Sequence, residues 1–286
     1  MESAAKQGSA VRGNSSSIEF QGASLDIWDK KYRLKDSQGN PVDADIDGTY
    51  ARVARALAEV EDEAVRQEWE ARFIWALKRG AIPAGRIVSN AGAQEHKPST
   101  STINCTVSGT ITDSMEGILQ KNLEAGLTLK AGCGIGYEFS TLRPRGAFVS
   151  GAGAYTSGPM SFMDIFDKMC FTVASAGGRR GAQMATFDVH HPDVFDFVKA
   201  KREDGRLRQF NLSLLITDDF IEAVKQDRSW PLCFPIKASQ VEALSINLDD
   251  TDQVVWRDID SGDDYLTDPQ GKVACLVYNR VPAKRM

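Results

Sequence analysis

Apolar positions recur along the chain with two distinct rhythms. Over residues 49–60, Val53, Leu57 and Val60 fall four and three residues apart, and over 62–79, Val65, Trp69, Phe73 and Leu77 recur every four. Both spacings gather apolar side chains on one side of a helix, so they predict two amphipathic helices that face a core. Gly80 and Pro83 follow the second stretch and mark its end, because glycine tolerates left-handed backbone and proline cannot continue a helix. Residues 1–24 show no period and are expected to form a disordered tail. The segment 35–48, with Gly39-Asn40-Pro41 and Asp47-Gly48, reads as turns.

From Ile103 the rhythm shortens. Strand-sized apolar runs at 103–107, 135–139, 184–189 and 210–216 alternate with helical patterns at 114–131, 159–175, 192–201 and 218–226. This alternation predicts an α/β core with largely parallel strands. Residues 143–158 are glycine-rich and read as a long loop. Beyond Ser229 there are weaker strand signals at 232–236, 254–256 and 273–278.

Composition narrows the function classes. The 286 residues are 42% hydrophobic and 26% charged, values of a soluble globular protein large enough for two modest domains or one large α/β unit. A net charge of −5 provides no global basic field, so neither nucleic acid nor a membrane surface is an expected partner. No apolar leader is visible in the first residues, and the longest apolar runs are far shorter than a membrane helix needs. The expected compartment is the cytoplasm. Five widely spaced cysteines, with no CxxC pair and only three histidines, suit thiols better than a disulfide scaffold or a zinc site.

Several segments could carry chemistry. Cys105, in Ser101-Thr-Ile-Asn-Cys105-Thr-Val107, is either a buried small hydrophobe or a redox thiol facing a cavity beside Asn104. Gly132-Cys-Gly-Ile-Gly136 precedes a strand, whereas a dinucleotide fingerprint joins a strand to a helix, so these glycines indicate close backbone approach. Arg143 and Arg145 beside glycine backbone suit a polyphosphate or a solvated turn. Gly177-Gly-Arg-Arg-Gly181 suits a helix end. His190 and His191, adjacent on a strand, point to opposite faces and cannot chelate one ion; Pro192 and Asp193 fit a helix start. Arg206 to Asn211 offers donors, an amide and an aromatic ring that could read a nucleobase, or a basic turn.

The order of these segments resembles the large catalytic chain of ribonucleotide reductases, most closely the adenosylcobalamin-dependent class. The resemblance runs from about Gly85 to Val224. It rests on Ser89-Asn-Ala-Gly92, Asn104-Cys105, Thr112-Asp-Ser-Met-Glu-Gly117, Gly132-Cys-Gly-Ile-Gly136, Phe139-Ser-Thr-Leu-Arg-Pro-Arg-Gly146 and Ser157-Gly-Pro-Met-Ser-Phe-Met163. It continues through Gly177-Gly-Arg-Arg-Gly-Ala182, His191-Pro-Asp193 and Asn211-Leu-Ser213.

The resemblance implies a helical region over 25–92 and, over 93–286, the first half of a ten-stranded α/β barrel. It implies reduction of ribonucleotides, read as diphosphates, to 2′-deoxyribonucleotides. Cys105 would be one redox thiol; Ser89, Asn104, Cys105 and Gly134 would line the substrate. Asp113, Ser114, Arg143 and Arg145 would hold a deoxynucleoside triphosphate effector, and Arg208, Gln209 and Phe210 would relay its identity to the substrate base. Adenosylcobalamin, with contacts mostly outside this chain, and a thioredoxin-like reductant are implied as well.

Two departures shape the expectation. Asp113 lies eight residues after Cys105 where the family has seven, and the family's Asn-x-Cys-x-Glu finger loop occurs nowhere in the sequence. The chain is therefore expected to be inactive alone and to need a C-terminal half or a second subunit, and a homodimer is the alternative assembly. Two alternatives accompany this reading: a non-catalytic deoxynucleotide-binding regulatory module, and a fragment of the iron-dependent class.

Overall fold

The computed structural model describes residues 18–98, 100–149, 151–173, 181–202, 206–259 and 265–286. Two compact units divide at Asn104/Cys105.

The first unit is helical: α1 (Gly22–Ile27), which runs on into a wide turn at Trp28–Tyr32, α2 (Ile46–Ala58), α3 (Glu63–Lys78) and α4 (Gly85–Asn90). α1 begins inside the stretch expected as tail, because the Gln21 carbonyl accepts the Ser24 and Leu25 amides and starts a helical turn there. Asp45 caps α2 by accepting the Gly48 amide at 2.8 Å, satisfying a donor that the first turn leaves unpaired. Val53, Ala54, Leu77 and Ala91 form the small core. Of the four-residue stripe on α3 only Leu77 is buried, and Val65 is exposed, so the C-terminal end of the stripe carries the packing. Asp43 organises the polar side of this unit. It takes Arg52 through two nitrogens at 2.8 and 3.0 Å, the Thr49 hydroxyl at 2.7 Å and the Leu34 amide at 3.0 Å. Arg52 also donates to the Ala91 carbonyl at 2.6 Å, tying the segment after α4 to α2.

The second unit alternates as the sequence predicts. Its elements are β1 (Cys105–Val107), α5 (Met115–Lys130), β2 (Gly134–Glu138), β3 (Phe148–Val149), β4 (Ala154–Tyr155), α6 (Pro159–Thr172), β5 (Gln183–Asp188), α7 (Val194–Lys199), β6 (Phe210–Leu215) and α8 (Asp218–Lys225). They are followed by β7 (Ser229–Pro235), α9 (Ala238–Leu244), β8 (Val254–Arg257) and β9 (Val273–Pro282). β1, β2, β5 and β6 form one open parallel sheet in that order. This is an α/β architecture, and no barrel closes among the described residues. A separate antiparallel sheet has the order β7-β9-β8.

Local chemistry explains the helix ends. Ser114 caps α5 and Thr217 caps α8. Pro159 occupies the first position of α6, where its missing amide costs nothing. Tyr137, Phe139, Phe166 and Phe210 meet edge to face or tilted with centroids 5.1–6.3 Å apart and fill the centre of the core. Within the stretch read as a loop, β3 and β4 instead pair as a short antiparallel hairpin, with Phe148 and Tyr155 opposite each other. Two apolar and aromatic pairs facing each other suffice for this.

Candidate catalytic and effector sites

Cys105 is the only exposed cysteine of the five. It lies at the start of β1, an outer strand of the parallel sheet, in register with the buried Gly134 of β2. The glycine run beside it has two separate causes. Gly132 sits at φ +85°, with its amide on the Leu129 carbonyl at 2.9 Å, and ends α5. Gly136 lies within β2, where an added Cβ would meet nothing closer than 3.7 Å. Packing therefore does not require a glycine there, and the strand surface next to β1 is left bare. Asn104 and Ser89 belong to the first unit; Ser89 is on α4 and its carbonyl receives Lys97 Nζ at 3.4 Å.

Asp113 and Arg143 are brought together, and they bind one another. Arg143 Nε reaches Asp113 Oδ2 at 2.7 Å, its amide donates to Oδ1 at 3.2 Å, and a terminal nitrogen reaches the Asp113 carbonyl at 3.2 Å. The remaining terminal nitrogen reaches the Phe148 carbonyl at 3.3 Å, so this arginine braces the base of the β3–β4 hairpin against the β1–α5 connection. Ser114 Oγ accepts the Gly117 amide at 3.0 Å as the cap of α5. The Arg145 amide donates to Asp193 Oδ2 at 2.8 Å. Gly158, at φ +84°, packs so closely on Arg145 that a Cβ would lie 2.8–2.9 Å from its atoms. These contacts draw the two ends of the loop together.

The segment expected to read a nucleobase is built differently. The Phe210 ring is 1% exposed within the aromatic core, so it cannot stack on a base, and that assignment is corrected. Position 210 faces inward because β6 alternates its side chains and Phe210 falls on the core side. The Gln209 amide donates to Asp167 Oδ1 at 2.8 Å, and its carbonyl accepts the Gln183 amide at 3.0 Å. Arg206 pairs with Asp164 at 3.0 Å. Arg208 follows Leu207, a buried residue at φ 48°. The motif Gly177-Gly-Arg-Arg-Gly-Ala182 falls mainly on 177–180, outside the described residues.

At the C-terminal ends of the parallel strands lies a cavity of about 630 Å³. Thr112 and Asp113 after β1, Glu138 of β2, Asp188 of β5 and Thr217 after β6 line it, and Cys233 and Arg257 of the antiparallel sheet close its other side. Asp188 is its electrostatic hub, holding Arg257 at 2.7 Å and the His190 ring at 3.1 Å. Burial alone would raise its carboxyl, but the His190 hydrogen bond and the Arg257 charge outweigh burial and hold it well below the usual carboxylate range. His191 Nδ1 accepts the Asp193 amide at 3.0 Å, so Nε2 must carry the proton it donates to the Leu142 carbonyl at 2.9 Å. Burial depresses this imidazole to about 4, and it is neutral. The histidine thus accepts the amide of Asp193, the residue just before α7, and the Asp193 carboxylate accepts the Arg145 amide and does not cap the helix. Sequence patterns single out neither Arg257 nor Cys233, because no spacing links 188, 233 and 257.

Two family models match the chain. One described as ribonucleotide reductase, barrel domain, covers residues 103–255, and one described as ribonucleotide reductase, all-alpha domain, covers 18–96. A vitamin B12-dependent ribonucleoside-diphosphate reductase of Mycobacterium tuberculosis is 34% identical over 223 residues, covering 76% of this chain and 31% of that protein. One of the same description from Thermoplasma acidophilum is 38% identical over 116 residues, 40% of this chain and 15% of that protein. A ribonucleoside-diphosphate reductase subunit alpha of Helicobacter pylori is 29% identical over 219 residues, 75% of this chain and 27% of that protein. The chain spans about a third or less of the length of these relatives.

Proposed function

We propose, from the premise that the chain belongs to the ribonucleotide reductase large-chain family, that it supplies one redox thiol and the effector-sensing part of a ribonucleoside-diphosphate reductase. The observation that carries the reading is Cys105, the one exposed cysteine, on an outer strand of the parallel sheet beside the glycine-bare β2. Replacing a 2′-hydroxyl by hydrogen needs a radical at the 3′-carbon, an acid for the departing water and two electrons. The C–O bond breaks, a C–H bond forms, water leaves, and two thiols become a disulfide. Cys105 provides one of these thiols, and its partner must come within bonding reach. Cys133, Cys170, Cys233 and Cys275 are all buried, so the partner is read as a cysteine outside these 286 residues. Ser89, Asn104 and Gly134 carry over from the resemblance as substrate contacts.

The reading extends to regulation. A deoxynucleoside triphosphate would meet Asp113, Ser114, Arg143 and Arg145 at the base of the hairpin, where a preformed ion pair can exchange carboxylate for phosphate oxygens. The relay to the substrate base would run through the backbone at Arg208 and Gln209. The cofactor implied by the family is adenosylcobalamin, which supplies the initiating radical when bound. Its contacts, like those of a thioredoxin-like reductant, carry over from the resemblance as lying mostly in other parts of the enzyme.

Reconstitution tests the reading. The chain would be mixed with a C-terminal reductase segment carrying Asn-x-Cys-x-Glu, adenosylcobalamin, a dithiol and a ribonucleoside diphosphate. Deoxynucleotide should form and should disappear in Cys105→Ser. Product formation unaffected by Cys105→Ser would overturn the role given to this thiol, and unchanged melting temperature with every deoxynucleoside triphosphate would overturn the effector site.

A further inference from the structure

We propose that Cys233 and Cys275 form a hydroperoxide-reactive dithiol on the wall of the cavity, with Cys233 the attacking sulfur and Cys275 the one that resolves it. This modification site is independent of Cys105 and of the reductase reading.

The geometry begins with the antiparallel register. Cys233 of β7 lies opposite Val277 of β9, and Cys275 lies opposite Pro235. The two cysteines are thus diagonal neighbours on one face of the sheet. The register shifts between Leu232 and Cys233 because Tyr278 of β9 is left unpaired there, a β-bulge on the strand that carries Cys275. Both thiols lie in one buried cluster with Val273, packed by Val255, Ile259, Tyr265 and Val277. Cys233 also lines the cavity, together with Arg257.

The surroundings favour a thiolate at one sulfur and a thiol at the other. The Cys275 hydrogen bond, helped by the Arg257 guanidinium and opposed by burial, holds Cys233 below the usual thiol range. That same bond, with burial, pushes Cys275 up. Arg257 is fixed in place by Asp188 at 2.7 Å. A sulfur facing a cation and a cavity is the reactive kind of cysteine, whereas a buried sulfur without them is inert. Cys170 is the internal contrast: burial pushes it up to about 11.

The chemistry balances with hydrogen peroxide as oxidant. The Cys233 thiolate attacks one peroxide oxygen; an S–O bond forms, the O–O bond breaks, and the departing oxygen leaves as water after taking a proton. Cys233 is now a sulfenic acid, two electrons having passed to the peroxide. The Cys275 sulfur then displaces that oxygen; the S–S bond forms, the S–O bond breaks, and the thiol proton leaves with the second water.

The test uses the full chain, reduced and then treated with one equivalent of hydrogen peroxide, alkylated and mapped by mass spectrometry. A Cys233–Cys275 cross-linked peptide lighter by two hydrogens is expected, forming at least ~10-fold faster than any modification at Cys170. Cys275→Ser should leave Cys233 as a sulfenic acid that dimedone captures, and Arg257→Gln should slow capture by about 10-fold. Recovery of both residues as thiols while Cys170 is oxidised at a comparable rate would overturn the proposal. So would a Cys233 sulfenic acid that persists in the unsubstituted chain without the cross-link. The peptide map of the unsubstituted chain decides the matter even if a variant fails to fold.

Discussion

Arg143 and Asp113 meet across thirty residues of chain, and their side chains are shielded on most sides. Removing one member leaves the other partly buried without its counter-charge, which is costlier than losing the pair together. Arg143→Gln is therefore expected to lower stability by about 1–3 kcal/mol in urea unfolding and to abolish any stabilisation by deoxynucleoside triphosphates. Arg143→Lys keeps the charge but loses the planar fork and should recover only part of either property. His191 has a distinct signature. Its folded pKa, about 4, lies below the ordinary 6.5, so between these values the unfolded chain takes up a proton that the folded chain refuses. Its contribution is complete above pH 6.5 and lost as pH falls to 4, a change of up to about 3 kcal/mol. Denaturant midpoints across this window should decline, and His191→Gln should flatten the decline. The lowered carboxyl of Asp188 acts in the same direction but at lower pH, because its folded form gives up stability only below the usual carboxylate range.

Among the helices, α5 carries apolar residues on two faces. Ile118, Ala125 and Leu129 are buried in the core, while Met115, Leu119, Leu123 and Leu127 recur every four residues and are each at least 50% exposed. An outward stripe of that length on a helix is the pattern of a helix-to-helix contact. A second copy of this chain is the expected occupant, because identical stripes laid antiparallel cover one another with two-fold symmetry. Light scattering of the unsubstituted chain should report a dimer, and the double variant Leu123→Glu, Leu127→Glu should report a monomer with an unchanged circular dichroism spectrum. A monomeric parent chain would remove this assignment. The short β3–β4 hairpin shows the opposite relation between pattern and outcome. Glycines at φ +80° (Gly146) and +84° (Gly158) mark turns that a loop reading anticipates, but the pairing of Phe148 with Tyr155 depends on contacts of only two residues per strand.

For the whole molecule, the parallel sheet is open and its outer strand β1 exposes Val107, 84% accessible, next to Cys105. On the proposed reading, reduction of a ribonucleotide needs an Asn-x-Cys-x-Glu segment, and that pattern does not occur in these 286 residues. The chain by itself is predicted to give no deoxynucleotide with adenosylcobalamin, dithiol and any ribonucleoside diphosphate or triphosphate. Chromatographic detection of deoxynucleotide above the no-protein control would contradict that. Binding of the proposed deoxynucleoside triphosphate effector, in contrast, should survive in the isolated chain, because the residues proposed to hold it, Asp113, Ser114, Arg143 and Arg145, all belong to its second unit.

The sequence by itself determined the alternation of β1, β2, β5 and β6 with α5, α6, α7 and α8 in the second unit. Apolar period, capping residues such as Ser114 and Thr217, and the proline at 159 are local signals, and local signals suffice to start and stop strands and helices. It also determined the family, through ordered motifs. It placed the ends of β7 and β9 poorly and passed over α1, α4, α9 and the hairpin, all short or weakly periodic pieces whose stability comes from what they pack against. Only the tertiary structure decided that Arg143 is bound to Asp113, that the Phe210 ring belongs to the core, and that His191 accepts the Asp193 amide just before α7. Only it joined Asp188, Arg257, Cys233 and Cys275, residues from four strands of two sheets. Pairings between strands distant in the chain follow from register and sheet order, which no local spacing encodes.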